Sequence, residues 1–434
     1  MFSSIKSVNS SDQAKQEEPK AKKSFFRTRS AKLESETEIK SDSRDAVDDA
    51  TEVKEKRSGF FKINKNQKAA VYSQFSDDPK VVIEVVSEDS IPQVSNENEV
   101  VVKVQASTVS YNDCLFRRGM SFSITDPVCC PATPGMDVLG LVVEVGSGVT
   151  EWKVGDRVAA LMQSGGNARY AVIPSQLLVA VPRSLDTSEA VCMISIYMTA
   201  YQSLKLVIGK ERTLKGKSVL VVGALGPVGQ ALIQMARRAR ADVVYATAPT
   251  NMHRYVASVL GAKPLPMEPD QWLAAVKGEM DVVMDNVCQD GFESSRAALS
   301  SDGKLVCVGM SAVLNSESMG VFGAPLSARW AQTKASYFMS KTQFYDVLTS
   351  LYNEPKKFKT DLEHVFQLLR QRDIKPHIAK RVCLSEVAEA HVYLELGKSR
   401  GAIVCLPWKR RIPGTGVKAG DYGIEETEME DDRE

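Results

Sequence analysis

Between Gln67 and Trp408 the apolar residues recur at strand and helix spacings that the two ends of the chain lack. Short runs come first: Ala69–Phe75, Val81–Val86 and Glu99–Val109, where VVVKVQASTV mixes alternation with a continuous apolar stretch. Pro134 and Gly135 then introduce MDVLGLVVEVGSGV, a long strand interrupted by Gly140, and VGDRVAAL and GGNARYAVIP add further strands and turns. This pattern predicts a mostly β domain of about 120 residues. From Leu185 to Leu206 the period becomes helical. Strand and helix then alternate, with a helix over Met252–Leu260, a strand at Asp281–Met284, a helix near Phe292–Leu299 and a strand at Lys304–Val308. Such alternation predicts a parallel, doubly wound sheet. Leu362–Arg370 and Leu384–Leu396 read as helices, and Gly401–Leu406 as a last strand that returns to the β domain.

The most informative stretch is Lys217–Pro249, KSVLVVGALGPVGQALIQMARRARADVVYATAP. Ser218–Val222 reads as a buried strand, Gly223, Gly226 and Gly229 follow at once, residues 228–239 read as a helix, and Asp242–Thr247 closes a βαβ unit. A pyrophosphate must approach the backbone at a helix N-terminus, where free N–H groups and the helix dipole favour anions. Glycine is the residue that lets it. A tight strand–helix turn without a ligand is the simpler alternative.

Composition narrows the class. The 434 residues are 43% hydrophobic and 25% charged, with a formal net charge of +1, so no general attraction to nucleic acid or membrane follows. The eight cysteines show no paired spacing beyond adjacent Cys129 and Cys130, which suggests neither a disulfide framework nor a metal clip, and a reducing compartment is expected. Residues 218–236 carry no charge, but their Gly and Pro punctuation favours a buried turn over a membrane span. Residues 1–66 are rich in Lys, Glu, Ser and Asp and predict a disordered extension, as does the acidic end 409–434. The basic patch Lys20–Arg29 is the one candidate docking or targeting element there, and Asp12, Glu17 and Glu18 speak against an organelle transit peptide. A cytoplasmic location is expected, with organelle targeting left open.

PGMDVLGLVVEVGSGV, VGDRV, GGNARYAVIP, Thr199–Tyr201, GALGPVG, MDVVMDNV, DGKLVCVG, IKPHI and AEAHVYLELGKSRGAIV stand in the order of one family's motifs. Across 67–407 the chain resembles the medium-chain dehydrogenase/reductase superfamily, in its zinc-independent quinone oxidoreductase and enoyl reductase branch. The resemblance implies a GroES-like β domain at 67–195 completed by 361–408, a Rossmann domain with a doubly wound parallel sheet at 196–360, an active site in the cleft between them, and common pairing as a homodimer. Zinc-dependent members place a Cys, a His and a further Cys or Asp around the metal. Those positions are Ser110, Met136 and Ser195 here, none a good ligand, and the family's four-cysteine lobe is missing, so no metal is expected. Asp137, after Met136, stands where the family commonly has a carboxylate.

The second strand of the βαβ unit chooses the cofactor. A ribose 2′-OH is usually met by an acid at its end, whereas a 2′-phosphate wants a cation and no acid. No Asp or Glu occurs between Val243 and Met267; Thr247 sits at the strand end and Arg254 follows, so NADPH is expected, held by Thr199, Gly223, Gly226, Pro227, Val228, Gly229, Thr247, Arg254 and Gly309. Pro227 removes one N–H from the cradle, tolerable in a first helical turn. The catalytic candidates lie in SYNDCLFRRG: Ser110, Tyr111, Asn112 and Asp113. Relative to the quinone reductases, Ser110 replaces an Asn and Leu115 a Tyr. The expected substrate is a small quinone or α,β-unsaturated carbonyl, already activated toward hydride without a metal. The alternative is an NADPH-binding protein with weak or lost catalysis that acts through partners; a zinc alcohol dehydrogenase ranks third.

Overall fold

The computed structural model describes residues 67–120, 129–208, 213–309, 311 and 341–409. The extension to residue 66 and the tail beyond Lys409, both expected to be disordered, lie outside them.

The β domain is built from strands β1 (Gln67–Tyr72), β2 (Ile83–Glu88), β3 (Glu99–Val109), β4 (Asp137–Val145), β5 (Arg157–Leu161), β6 (Tyr170–Pro174) and β7 (Val179–Ala180). β1 pairs antiparallel with β2. The expected strand at Val81–Val86 is shifted: Asp78 accepts from Lys80 N–H and Pro79 takes the first helical position, so Pro79–Val82 winds one helical turn before β2 begins. β3 is the hub, paired with β4 on one side and β6 on the other. Val100, Val102 and Val104 on its inner face pack with Val138, Val142, Val158 and Ile173. Where β3 ends, Ser110 starts helix α1 (Tyr111–Arg117).

The chain crosses to the second layer along helix α2 (Thr187–Ile208), which widens into a π turn at Met193–Tyr197. By length and composition α2 could cross a membrane, but 78% of its most apolar window is buried inside the protein. The parallel sheet comprises β8 (Ser218–Val222), β9 (Val243–Thr247), β10 (Lys263–Leu265), β11 (Met280–Asp285), β12 (Leu299–Cys307) and β13 (Thr342–Phe344), with helix α3 (Pro227–Arg238) joining β8 to β9. Its order is β10-β9-β8-β11-β12-β13, all parallel. The order reverses between β8 and β11. A crevice opens at such a switch point beyond the carboxyl ends of the strands.

Helices α4 (Pro355–Arg370) and α5 (Val387–Glu395) and strands β14 (Ile378–Val382) and β15 (Ala402–Cys405) complete the chain. β15 runs antiparallel to β3, with Ile403 opposite Val109, so the C-terminal strand buttresses the end of β3 from which α1 departs.

Candidate active site

The glycine turn lies at the switch point. Gly223 has φ +87°, a conformation glycine adopts without strain, and its N–H donates to Thr247 Oγ1 at 2.9 Å, which ties the turn to the end of β9. A Cβ on Gly229 would lie 2.0 Å from the Gly223 carbonyl oxygen, so this glycine is what allows α3 to press against β8. Gly226 is the N-cap of α3 with no side-chain cap, and Pro227 occupies the first turn. The helix end therefore presents its N–H groups, from Val228 onward, without competition from a side chain. That arrangement fits a dinucleotide pyrophosphate.

Opposite the turn is the end of β11. A Cβ on Gly226 would lie 4.0 Å from Asn286 Nδ2, while one on Gly309, at the end of β12, would meet the Asn286 backbone oxygen at 2.6 Å. Asp285 holds this wall. Fully buried, it accepts from the N–H groups of Val287 and Cys288 and from Ser295 Oγ at 2.6 Å. Cys288 sits at φ +59°, unusual for a residue with a side chain, and the Asp285 bonds oppose its relaxation. The sequence reading missed Asp285 and Asn286, although MDVVMDNV placed them at a strand end.

Among the remaining cofactor candidates, Thr199 is buried in α2. Arg254 is exposed, two residues beyond the turn at Thr250–Met252 that follows β9. Its neighbour His253 is engaged instead, with Nε2 3.1 Å from both the Ala248 and Leu265 oxygens.

The four catalytic candidates divide into two pairs. Ser110 and Asp113 form a capping box for α1: Asp113 accepts from Ser110 N–H and Ser110 Oγ, both at 2.7 Å, and Ser110 Oγ in turn accepts from Asp113 N–H at 3.3 Å. Asp113 also accepts from Gly135 N–H at 2.7 Å, pinning the loop before Met136. Burial raises its pKa to about 6 against the pull of these bonds. Tyr111 and Asn112 point elsewhere. Tyr111 OH donates to Ser311 O at 3.3 Å, and Ser311 Oγ donates to Asn286 O at 3.4 Å, so α1 reaches the crevice wall through Ser311. Asn112 Nδ2 is 3.5 Å from Met136 Sδ. Leu115 and Met120 pack with Leu220, Val222 and Phe292 of the parallel-sheet layer, so α1 bridges both layers. Cys114 is buried, its thiol pushed up by burial, as a packing residue would be.

The zinc-ligand positions do not suit zinc. Ser110 is committed to its helix cap, Met136 offers a thioether, and Ser195 Oγ donates to Asp137 Oδ2. Among the described residues no group of three or more His, Cys, Asp or Glu side chains is placed to hold a metal ion.

Two family models match the chain: the alcohol dehydrogenase GroES-like domain over residues 96–183 and the zinc-binding dehydrogenase domain over 260–405. The synaptic vesicle membrane protein VAT-1 homolog of Rattus norvegicus is 27% identical over 333 residues, spanning 75% of this chain and 81% of the relative. The chloroplast envelope quinone oxidoreductase homolog of Arabidopsis thaliana is 29% identical over 319 residues, 71% of this chain and 90% of the relative. A probable oxidoreductase from Mycobacterium abscessus superposes with a TM-score of 0.61 at 25% identity, covering 79% of this chain and 99% of that one. Fold, motifs and relatives agree that the chain belongs to the medium-chain dehydrogenase/reductase superfamily, with a quinone oxidoreductase homolog among its relatives.

Proposed function

We propose that the protein is an NADPH-dependent, zinc-independent reductase that transfers a hydride to a small quinone or α,β-unsaturated carbonyl. The observation that carries this reading is the uncapped N-terminus of α3 at the β8/β11 switch point, packed so closely that Gly229 has no room for a Cβ. Gly223, Gly226, Val228 and Gly229 receive the pyrophosphate, Pro227 sets the first turn, and Thr247 fixes the turn through Gly223. Arg254 pairs with the 2′-phosphate as a charge-assisted donor, in a stretch free of acids. Thr199 and Gly309 flank the nicotinamide half. Bound there, the cofactor supplies the hydride.

Asn112 and Tyr111, whose hydroxyl would leave the Ser311 oxygen for the substrate, are the donors that would polarise the acceptor carbonyl. The capping box leaves Ser110 and Asp113 to place them. Without a Lewis acid the acceptor must already be electrophilic, as the Arabidopsis relative's name also suggests. The cysteine spacing offers no disulfide framework, which supports a reducing compartment such as the cytoplasm. The capping box also keeps the second reading alive, an NADPH binder with lost turnover. Assaying NADPH oxidation with a panel of quinones and enones decides between them: turnover supports the reductase, and tight binding with no turnover supports the binder.

A further inference from the structure

One buried acid beside this site is used by none of the steps above. Asp137 opens β4 and is 0% exposed. Its Oδ2 accepts from two hydroxyls, Thr108 Oγ1 at 2.5 Å and Ser195 Oγ at 2.6 Å, while Oδ1 is buried with no hydrogen-bond partner. Thr108 stands near the end of β3, two residues before the Ser110 cap of α1. Ser195 is the middle residue of the π turn in α2, a distortion often found at functional positions, and it is only partly buried. Ile196 and Tyr197 on the same turn, with Cys192 just before it, line a small cavity with Pro227 and Gln230 at the start of α3. The turn thus borders the cofactor helix. Asp137 is the inner end of a short hydroxyl chain whose outer end, Ser195, is partly exposed on the turn that borders the cofactor helix.

An ionised carboxylate with one oxygen buried and unsolvated is costly, and protonation removes that cost. Burial accordingly raises the Asp137 pKa to about 7; the Ser195 and Thr108 bonds oppose the rise and Asp113 adds to it. Asp113 on α1 and Cys192 on α2 are the titratable groups facing it. Asp113 accepts from three donors and Cys192 is held neutral by burial, so the shared proton resides on Asp137.

We propose that Asp137 is the proton store of the reduction and delivers through the Ser195 hydroxyl. This rests on the reductase reading. On accepting the hydride, the enone becomes an enolate, or the quinone a hydroquinone anion. The Ser195 O–H bond breaks as its proton passes to that anion. For this the Ser195 hydroxyl rotates from Asp137 Oδ2 toward the anion, so that Ser195 Oγ accepts the proton carried on Oδ2 as its own leaves, and the resulting carboxylate recovers a proton from water once product leaves. One hydride and one proton are consumed per acceptor. Ser195 is the group that touches substrate, and Asp137 acts through it.

The test compares the full-length wild type with Asp137→Asn, Ser195→Ala and Thr108→Val. Wild-type kcat should fall as pH rises through about 7, with the acceptor KM unchanged. Asp137→Asn and Ser195→Ala should each lose roughly a hundredfold in kcat, the lower end for general acid catalysis, and Asp137→Asn should lose the alkaline limb. Thr108→Val removes a bond that lowers the Asp137 pKa, so its limb should move to higher pH. Infrared titration of the cofactor-free protein supplies a readout independent of turnover. A carboxylic-acid C=O band that titrates near pH 7 should be present in the wild type and missing from Asp137→Asn, which keeps the separate Asp113 band that titrates near 6. Wild-type rates and pH profile in both Asp137→Asn and Ser195→Ala, or no such band, would overturn the proton store alone. A wild type that turns over no quinone or enone overturns the reductase reading and the delivery step with it.

Discussion

Gly229 and Gly226 make opposite predictions although both sit in one turn. Gly229→Ala places a methyl 2.0 Å from a backbone oxygen, so α3 must shift. Denaturant titration should show a loss of about 1–3 kcal/mol, accompanied by loss of NADPH binding. Gly226→Ala meets nothing closer than 4.0 Å and should leave stability nearly unchanged. Arg254→Ala should weaken NADPH about tenfold, ~1.4 kcal/mol, and leave NADH untouched, as read by fluorescence titration of both cofactors; equal losses for the two would remove Arg254 from the 2′-phosphate. The turn was legible in the sequence because its glycines, strand and helix are neighbours along the chain. The clasp on Asp137 was not, because Thr108 and Ser195 lie 29 and 58 residues away and only the fold brings them together. Ser110 and Asp113 carried a different lesson: their spacing suits a helix cap as well as a catalytic pair, and the structure shows the cap.

At the scale of elements, α1 is held from behind by α5. Arg117 is fully buried; its guanidinium bonds Glu395 and the Ser76 carbonyl, and its Nε lies 3.4 Å from His391 Nδ1. Arg118 adds a 3.0 Å bond to the same Glu395. Glu395→Ala would leave the Arg117 charge buried without its carboxylate. Urea unfolding should register a loss of about 3–5 kcal/mol, the usual cost of orphaning a buried charge. An effect below ~1 kcal/mol would mean that the pair behaves like a surface bridge. Sequence periodicity located α5 but not the short α1, and the pairing of residues 278 apart along the chain is a product of β15 returning to β3.

Across the whole molecule, buried acids and a buried imidazole set opposing pH slopes. The folded Asp137 pKa is raised from 3.8 to about 7, so its contribution to stability is complete below pH 3.8 and is lost as pH rises to about 7. His391 moves the other way, from 6.5 down to about 3 through burial and Arg117, so stability falls as pH drops through that window. Asp137→Asn removes only the first slope. Relative to the wild type, the variant should therefore gain by up to ~1.4 kcal/mol per pH unit as pH rises from 3.8 to 7, measured as the difference between two denaturant series. A constant difference would show that Asp137 is ionised throughout.

The central claim is that the crevice between β8 and β11 delivers a hydride. It is tested most directly by incubating the protein with NADPH carrying deuterium at the nicotinamide C4 and a panel of quinones and enones. Hydride transfer at this site predicts oxidised cofactor in step with consumed acceptor and, for an enone, deuterium on the β carbon of the saturated product. NADPH bound at the site but never oxidised in the presence of any acceptor would contradict it.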